Sequence, residues 1–184
     1  MSELLTRRRF TVAELDIMDA AGIFDGDGRI ELIDGEIIEM NPIGGPHMWC
    51  VAKLNEALAG VVTRPFLVSV QGPIELGPRD MPEPNIAVVR PPTSGSARPG
   101  PDATALVIEV ADSSRRIDRT SKMRRYGVAG IPEAWLVDLV SETVERFTDP
   151  GPAGYRLIAV AGRGESIGST TVPDFTLDVD VILG

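Results

Sequence analysis

Apolar and polar positions along this chain alternate between two periods, and the switches between them outline its elements. Thr11-Val-Ala-Glu14 has the form of a helix-opening capping box, and the short helix it starts closes at Gly22. Residues 29–33 and 36–40 read as two strands joined by Asp34-Gly35, a strong hairpin signal. From His47 to Val62, apolar residues fall at Met48, Val51, Ala52, Leu54, Ala57, Leu58 and Val61, which is helical spacing. Strands are predicted at 67–70 and 86–89, with a further short one at 74–76. The Pro-, Gly- and Ser-rich stretch 91–101 reads as a mobile loop.

The strongest apolar run is Leu106 to Val110, which reads as a strand buried on both faces but carries Glu109 near its end. A basic helix follows over about 119–128, ended by Gly127 and Gly130. A second hairpin is expected from 134–138 and 143–147, and late strands at 155–160 and 179–183. Many strands with few helices between them predict an α/β or α+β fold with a central mixed β-sheet flanked by helices and extra β-hairpins.

Length and composition narrow the class. At 184 residues one domain is expected, 1–184, able to bury roughly 70% of its unfolded surface without staples. The single Cys50 excludes an internal disulfide framework and fits a reducing compartment. No apolar run reaches the length of a membrane helix, and Arg7-Arg8-Arg9 is not followed by the hydrophobic core of a secretory signal, so the expectation is a cytoplasmic protein without a membrane. A net charge of -9 opposes nonspecific nucleic-acid binding over the whole surface. Arg115, Arg116, Arg119, Lys122, Arg124 and Arg125 nevertheless crowd one segment, either as a solvated helix face or as a local phosphate contact.

Four positions could meet in one site: Glu31 on the first hairpin, Asn85 before the 86–89 strand, Glu109 at the end of the buried strand, and Lys122 on the basic helix. A carboxylate is rarely buried unless it is paired or binds a metal. Two acidic ligands can suffice for a hard divalent cation, and a nearby lysine can orient or deprotonate water or stabilise charge on a phosphate. Each residue also has a plain structural reading. Glu31 can face solvent, Lys122 lies four residues after Asp118 as in an ordinary helical ion pair, and His47, the sole histidine, is placed for a local hydrogen bond at its helix start. Trp49 and Trp135 are expected in the core, and Asp138 in turn chemistry.

Taken in order, the segments 10–14, 31–37, the loop ending at His47, 82–89, 107–114, 118–122 with Tyr126, and 130–138 resemble the Uma-two family of restriction-endonuclease-like proteins, within the PD-(D/E)XK nuclease superfamily. The resemblance implies a restriction-endonuclease-like core with an Mg²⁺ (or Mn²⁺) site at one end, DNA as partner and a homodimer. By position it assigns Glu31, Glu109 and Lys122 to catalysis, and Asn85 and Glu109 to the metal. Lys122 corresponds to a lysine displaced onto the following helix, since Ala111 stands where the ordinary D/E-x-K lysine would. The family usually has aspartate at position 85, and Asn85 brings no charge there. The implied function is an Mg²⁺-dependent endonuclease; the alternative is a non-catalytic nucleic-acid-binding or protein-binding chain on the same fold.

Overall fold

A computed structural model describes the chain apart from residues 1–6, 25–28, 41–43, 93–96 and 113–115, and apart from the side chains of 116–120. Helix α1 (Val12–Ala20) opens on the expected capping box: Glu14 N donates to Thr11 Oγ1, and Thr11 N donates to Glu14 Oε2. Strands β1 (Ile30–Ile33) and β2 (Glu36–Glu39) pair antiparallel. Asp34 (φ 51°) and Gly35 (φ 73°) both adopt the left-handed backbone of a tight hairpin turn. A Cβ on Gly35 would come within 2.9 Å of Arg9 Cβ and the Phe10 carbonyl, so the turn requires glycine. Leu32 bridges to Met81 and joins Val12 and Leu15 in a small satellite core, which fixes the hairpin beside the main sheet.

Helix α2 (Gly45–Ala59) buries His47, Cys50, Val51, Leu54 and Leu58, one stripe of a 3.6-residue period. Trp49 falls on the opposite side of that stripe and is 63% exposed, not in the core as expected.

The main sheet has the order β3-β4-β5-β6-β7-β8: β3 (Leu67–Val70), β4 (Ile86–Val89), β5 (Thr104–Ala111), β6 (Glu133–Asp138), β7 (Thr143–Gly151) and β8 (Gly154–Ala161). Neighbours are antiparallel except β5 and β6, which run parallel and are joined by helix α3 (Arg116–Ala129). The central strands β4, β5 and β6 are almost wholly buried, as the apolar run around Glu109 predicted for β5. On one face Ile108, Trp135 and Val137 pack with Leu54 and Leu58 of α2; fully burying such a leucine is worth about 2 kcal/mol. On the other, Val107, Ala134 and Leu136 pack with Met123 and Tyr126 of α3.

Two predicted elements differ, and a third falls partly outside the described residues. Residues 179–183 form helix α4 (Val179–Leu183), not a strand, because Asp178 caps it by accepting from Asp180 N and turns Val179 and Ile182 to one buried side. Residues 74–76 make no strand ladder; Ile74 N and Leu76 N donate to the Pro82 and Asp80 carbonyls within a proline-rich loop. Residues 93–96 of the expected mobile loop lie outside the described residues, while 101–103 form a short 3₁₀ turn leading into β5. A short antiparallel pair, β9 (Ser166–Gly168) and β10 (Thr176–Asp178), completes the structure.

Candidate active site

Alternation along β5 decides which side chains can meet. Val107, Glu109 and Ala111 lie on one face, and Val107 and Ala111 belong to the α3 core. Glu109 therefore faces α3 near the C-terminal end of the parallel pair. Lys122 and Tyr126, four residues apart on one side of α3, both reach it. Tyr126 Oη donates to Glu109 Oε1 at 2.7 Å, and Lys122 Nζ lies 3.4 Å from the same oxygen.

The hairpin supplies the second carboxylate. Glu31 is 1% exposed, which removes the solvent-facing reading of that residue. Its Oε1 accepts from Lys122 Nζ at 2.6 Å and from the Glu83 backbone N at 2.8 Å. One ammonium thus bridges two buried carboxylates, one from the separate β1–β2 hairpin and one from the main sheet. The side chain of Asp118, and with it the expected helical pairing with Lys122, lies outside the described residues.

Burial pushes the Glu109 carboxyl above its ordinary range; Lys122 opposes this, and the neighbouring Glu31 charge adds to it. Burial pulls Lys122 down, but Glu109 and Glu31 outweigh it and leave the lysine raised and protonated at neutral pH. The Tyr126 hydroxyl is pushed well above its usual range by burial and by the facing Glu109, so it acts only as a neutral donor.

Asn85 is at the same end of the sheet, but its Oδ1 is engaged. It accepts from Val110 N at 2.7 Å and so ties the start of β4 to β5. Glu83 does not take the vacant acidic role either, because Arg29 Nε donates to its Oε1 at 2.5 Å. His47 faces Asn85, the Val110 backbone, Asp112 and Arg29, and burial lowers its pKa, leaving the imidazole neutral. Its hydrogen-bonding neighbours are the Val110 backbone and the Asn85 side chain, not a local group at the helix start, and its Nδ1 has no partner among the described residues. Among the described residues no three His, Cys, Asp or Glu side chains form a metal cage. Asp138 makes the expected turn, accepting from Val140 N and Ser141 N.

Sequence reasoning assigned no role to Tyr126 or Arg29. The i,i+4 spacing of Lys122 and Tyr126 was a usable signal once Lys122 was suspected. Nothing local marks Arg29, whose position depends on how the hairpin docks.

A mixed sheet with one parallel pair, helices on both faces and carboxylates gathered with a lysine beside the parallel strand ends is the restriction-endonuclease-like architecture. A solved structure described as that of "a putative nuclease belonging to DUF820 from Anabaena variabilis ATCC 29413" shares this fold. It matches with TM-score 0.68 over 84% of this chain and 89% of that one, at 18% identity. The profile of the Uma2 family, described as "Putative restriction endonuclease", matches residues 12–180, and the chain belongs to that family. No curated protein matches it. No helix among the described residues is long and apolar enough to cross a membrane.

Proposed function

We propose that this chain is an Mg²⁺- or Mn²⁺-dependent endonuclease that hydrolyses DNA phosphodiester bonds. The observation that carries this reading is the single Lys122 ammonium held between two buried carboxylates, Glu31 and Glu109. Two carboxylates against one ammonium leave a buried negative charge in excess, which a proton or a cation must offset. Glu109 Oε2 and Glu31 Oε2 carry no hydrogen bond among the described residues, so hard oxygen donors remain free. Mg²⁺ sites commonly use one or two carboxylates, with waters and substrate phosphate as the other ligands, so the absence of a three-residue cage fits this ion.

The donor set therefore suits a divalent ion held by Glu109, with Glu31 nearby. When bound, such an ion neutralises charge on the phosphate and acidifies water. Tyr126 fixes the orientation of Glu109 through Oε1. Glu31 and the Glu83 backbone fix Lys122. Because Lys122 is held protonated, its role is to donate to a phosphate oxygen or to the attacking water, stabilising charge as it develops. Cleaving both strands of a duplex takes two such sites, which a homodimer supplies; sedimentation of the chain with and without DNA tests that state.

The test is nicking of supercoiled plasmid in Mg²⁺ or Mn²⁺ by the wild type, Glu109→Gln and Lys122→Ala. Nicking by the wild type alone supports the reading. No nicking by the wild type in either metal overturns it and favours the second reading, a DNA-binding chain without catalysis, which the engaged and uncharged Asn85 supports.

A further inference from the structure

The hairpin that carries Glu31 is a sheet of its own and shares no ladder with the main sheet that carries Glu109. Strand register therefore does not set the distance between the two carboxylates. The hairpin leans instead on the loop before β4. Met81 N donates to the Leu32 carbonyl at 2.7 Å, Leu32 N to the Met81 carbonyl at 3.2 Å, and Gly35 N to the Arg79 carbonyl at 2.7 Å. Lys122 spans the gap from α3, but a lysine is a point charge on a flexible stem and imposes little geometry of its own. A stiffer joint between α3 and the hairpin is needed to fix the site.

Asp80 supplies one. Its Oδ1 accepts from Asp34 N, in the hairpin turn, at 2.8 Å and from Arg125 Nη1, on α3, at 2.7 Å. Arg125 follows Lys122 by three residues and so shares its side of the helix. Among the described residues, two polar side-chain contacts join α3 to the hairpin and this loop: Lys122 to Glu31, inside the site, and Arg125 to Asp80, outside it. Asp80 and Arg125 are both partly exposed, so their pairing adds little to global stability. We propose that Asp80 is a positioning residue of the Glu31–Lys122–Glu109 site, holding the hairpin turn and α3 on one oxygen and so setting how far apart the two carboxylates stand. A slide of α3 along the hairpin by about 1 Å would cost Lys122 one of its two contacts, and misplacement on that scale is enough to lower a rate about a hundredfold. The effect on cleavage rests on the DNA-cleaving reading above; the effect on geometry does not.

Amide hydrogen exchange is measured on the metal-free wild type, Asp80→Ala, Asp80→Asn and Arg125→Ala. The reporter is the Glu83 amide, whose hydrogen bond ends on Glu31 Oε1. The reference is the Val110 amide, held by Asn85 within the main sheet. Asp80→Ala and Arg125→Ala should each speed exchange at Glu83 about tenfold relative to Val110, the value of one hydrogen bond. Asp80→Asn keeps an oxygen for Asp34 N and should do so less. If either alanine variant loosens the whole fold and both amides speed up together, the Glu83 to Val110 ratio in Asp80→Asn decides. An Asp80 that merely caps the turn predicts faster exchange at Asp34 alone and no change in Arg125→Ala, and that result overturns the proposal. Plasmid nicking is then compared. The alanine variants should lose about a hundredfold in kcat with KM unchanged. Wild-type kcat in them, or a rise in KM alone, overturns the positioning role even if exchange is altered. A wild type that does not nick overturns the nuclease reading, and the exchange ratios alone then uphold or overturn the joint.

Discussion

Lys122 Nζ stands 2.6 Å from Glu31 Oε1, although 91 positions separate them in the chain. Helix α3 and the β1–β2 hairpin meet at this contact, which lies beneath the sheet end and is shielded from solvent. Lys122→Ala leaves two buried carboxylates without their cation. Urea unfolding should show a loss of about 3 kcal/mol, and plasmid nicking should disappear. Metal binding by calorimetry should change little; its loss would mean that Lys122 shapes the metal site instead of acting on the substrate.

The raised Glu109 carboxyl predicts a pH signature. The folded chain holds that proton more tightly than the unfolded chain. The resulting stabilisation is complete below the ordinary glutamate value, about pH 4, and is lost as pH rises through the higher folded value. Glutamine at 109 cannot titrate. In metal-free buffer the melting temperature of the wild type should therefore fall relative to Glu109→Gln as pH rises above about 4. At neutral pH the variant should be as stable as the wild type or more so, while losing Mn²⁺ binding by calorimetry. A pH-independent difference between the two would show that Glu109 is neutralised in the fold by other means.

Asn85→Asp keeps an oxygen for the Val110 N–H and adds a charge beside Glu109. The metal-free melting temperature should fall, and Mn²⁺ affinity should rise roughly tenfold or more, since affinity follows the number of charged ligands. Unchanged affinity would mean that residue 85 is only a strap between β4 and β5.

Glu133, at the opposite end of β6 from Asp138, is fully buried. It accepts from Trp135 Nε1 at 2.5 Å and from the backbone N of Thr170 and Thr171 at 2.7 and 3.0 Å. Glu133→Ala strands these donors, and urea unfolding should show a loss of about 3 kcal/mol. Mn²⁺ affinity of the folded fraction should be unchanged; a large drop would tie this end of the sheet to the metal.

Much of the architecture was readable because the central strands are buried on both faces and their runs are apolar, with Glu109 the one charged residue inside β5. The Asp34-Gly35 turn and the Thr11 capping box were readable because each is a short-range device. Residues 179–183 misled because Val-Asp-Val-Ile-Leu suits either period, and only the Asp178 cap decides for a helix. Trp49 misled because hydrophobicity alone does not say which side of α2 faces the sheet. Glu31, Glu109 and Lys122 could be suspected singly, but their meeting depends on hairpin docking and on α3 crossing back over the sheet. The capture of Asn85 Oδ1 by Val110 N, and the meeting of Asp34 N and Arg125 on one Asp80 oxygen, arise only from that assembled geometry.

Lys122 and Tyr126 share one side of α3, and both touch a single oxygen of Glu109. In an ordinary D/E-x-K strand, lysine and acid are locked together by the pleat. Here the acid rides on the sheet and its two partners ride on a helix, so α3 works like a key in a lock. A turn of the helix by one residue, roughly 100°, withdraws both contacts together. Any ligand or partner that shifted α3 would change the charge and the orientation of Glu109 in one movement.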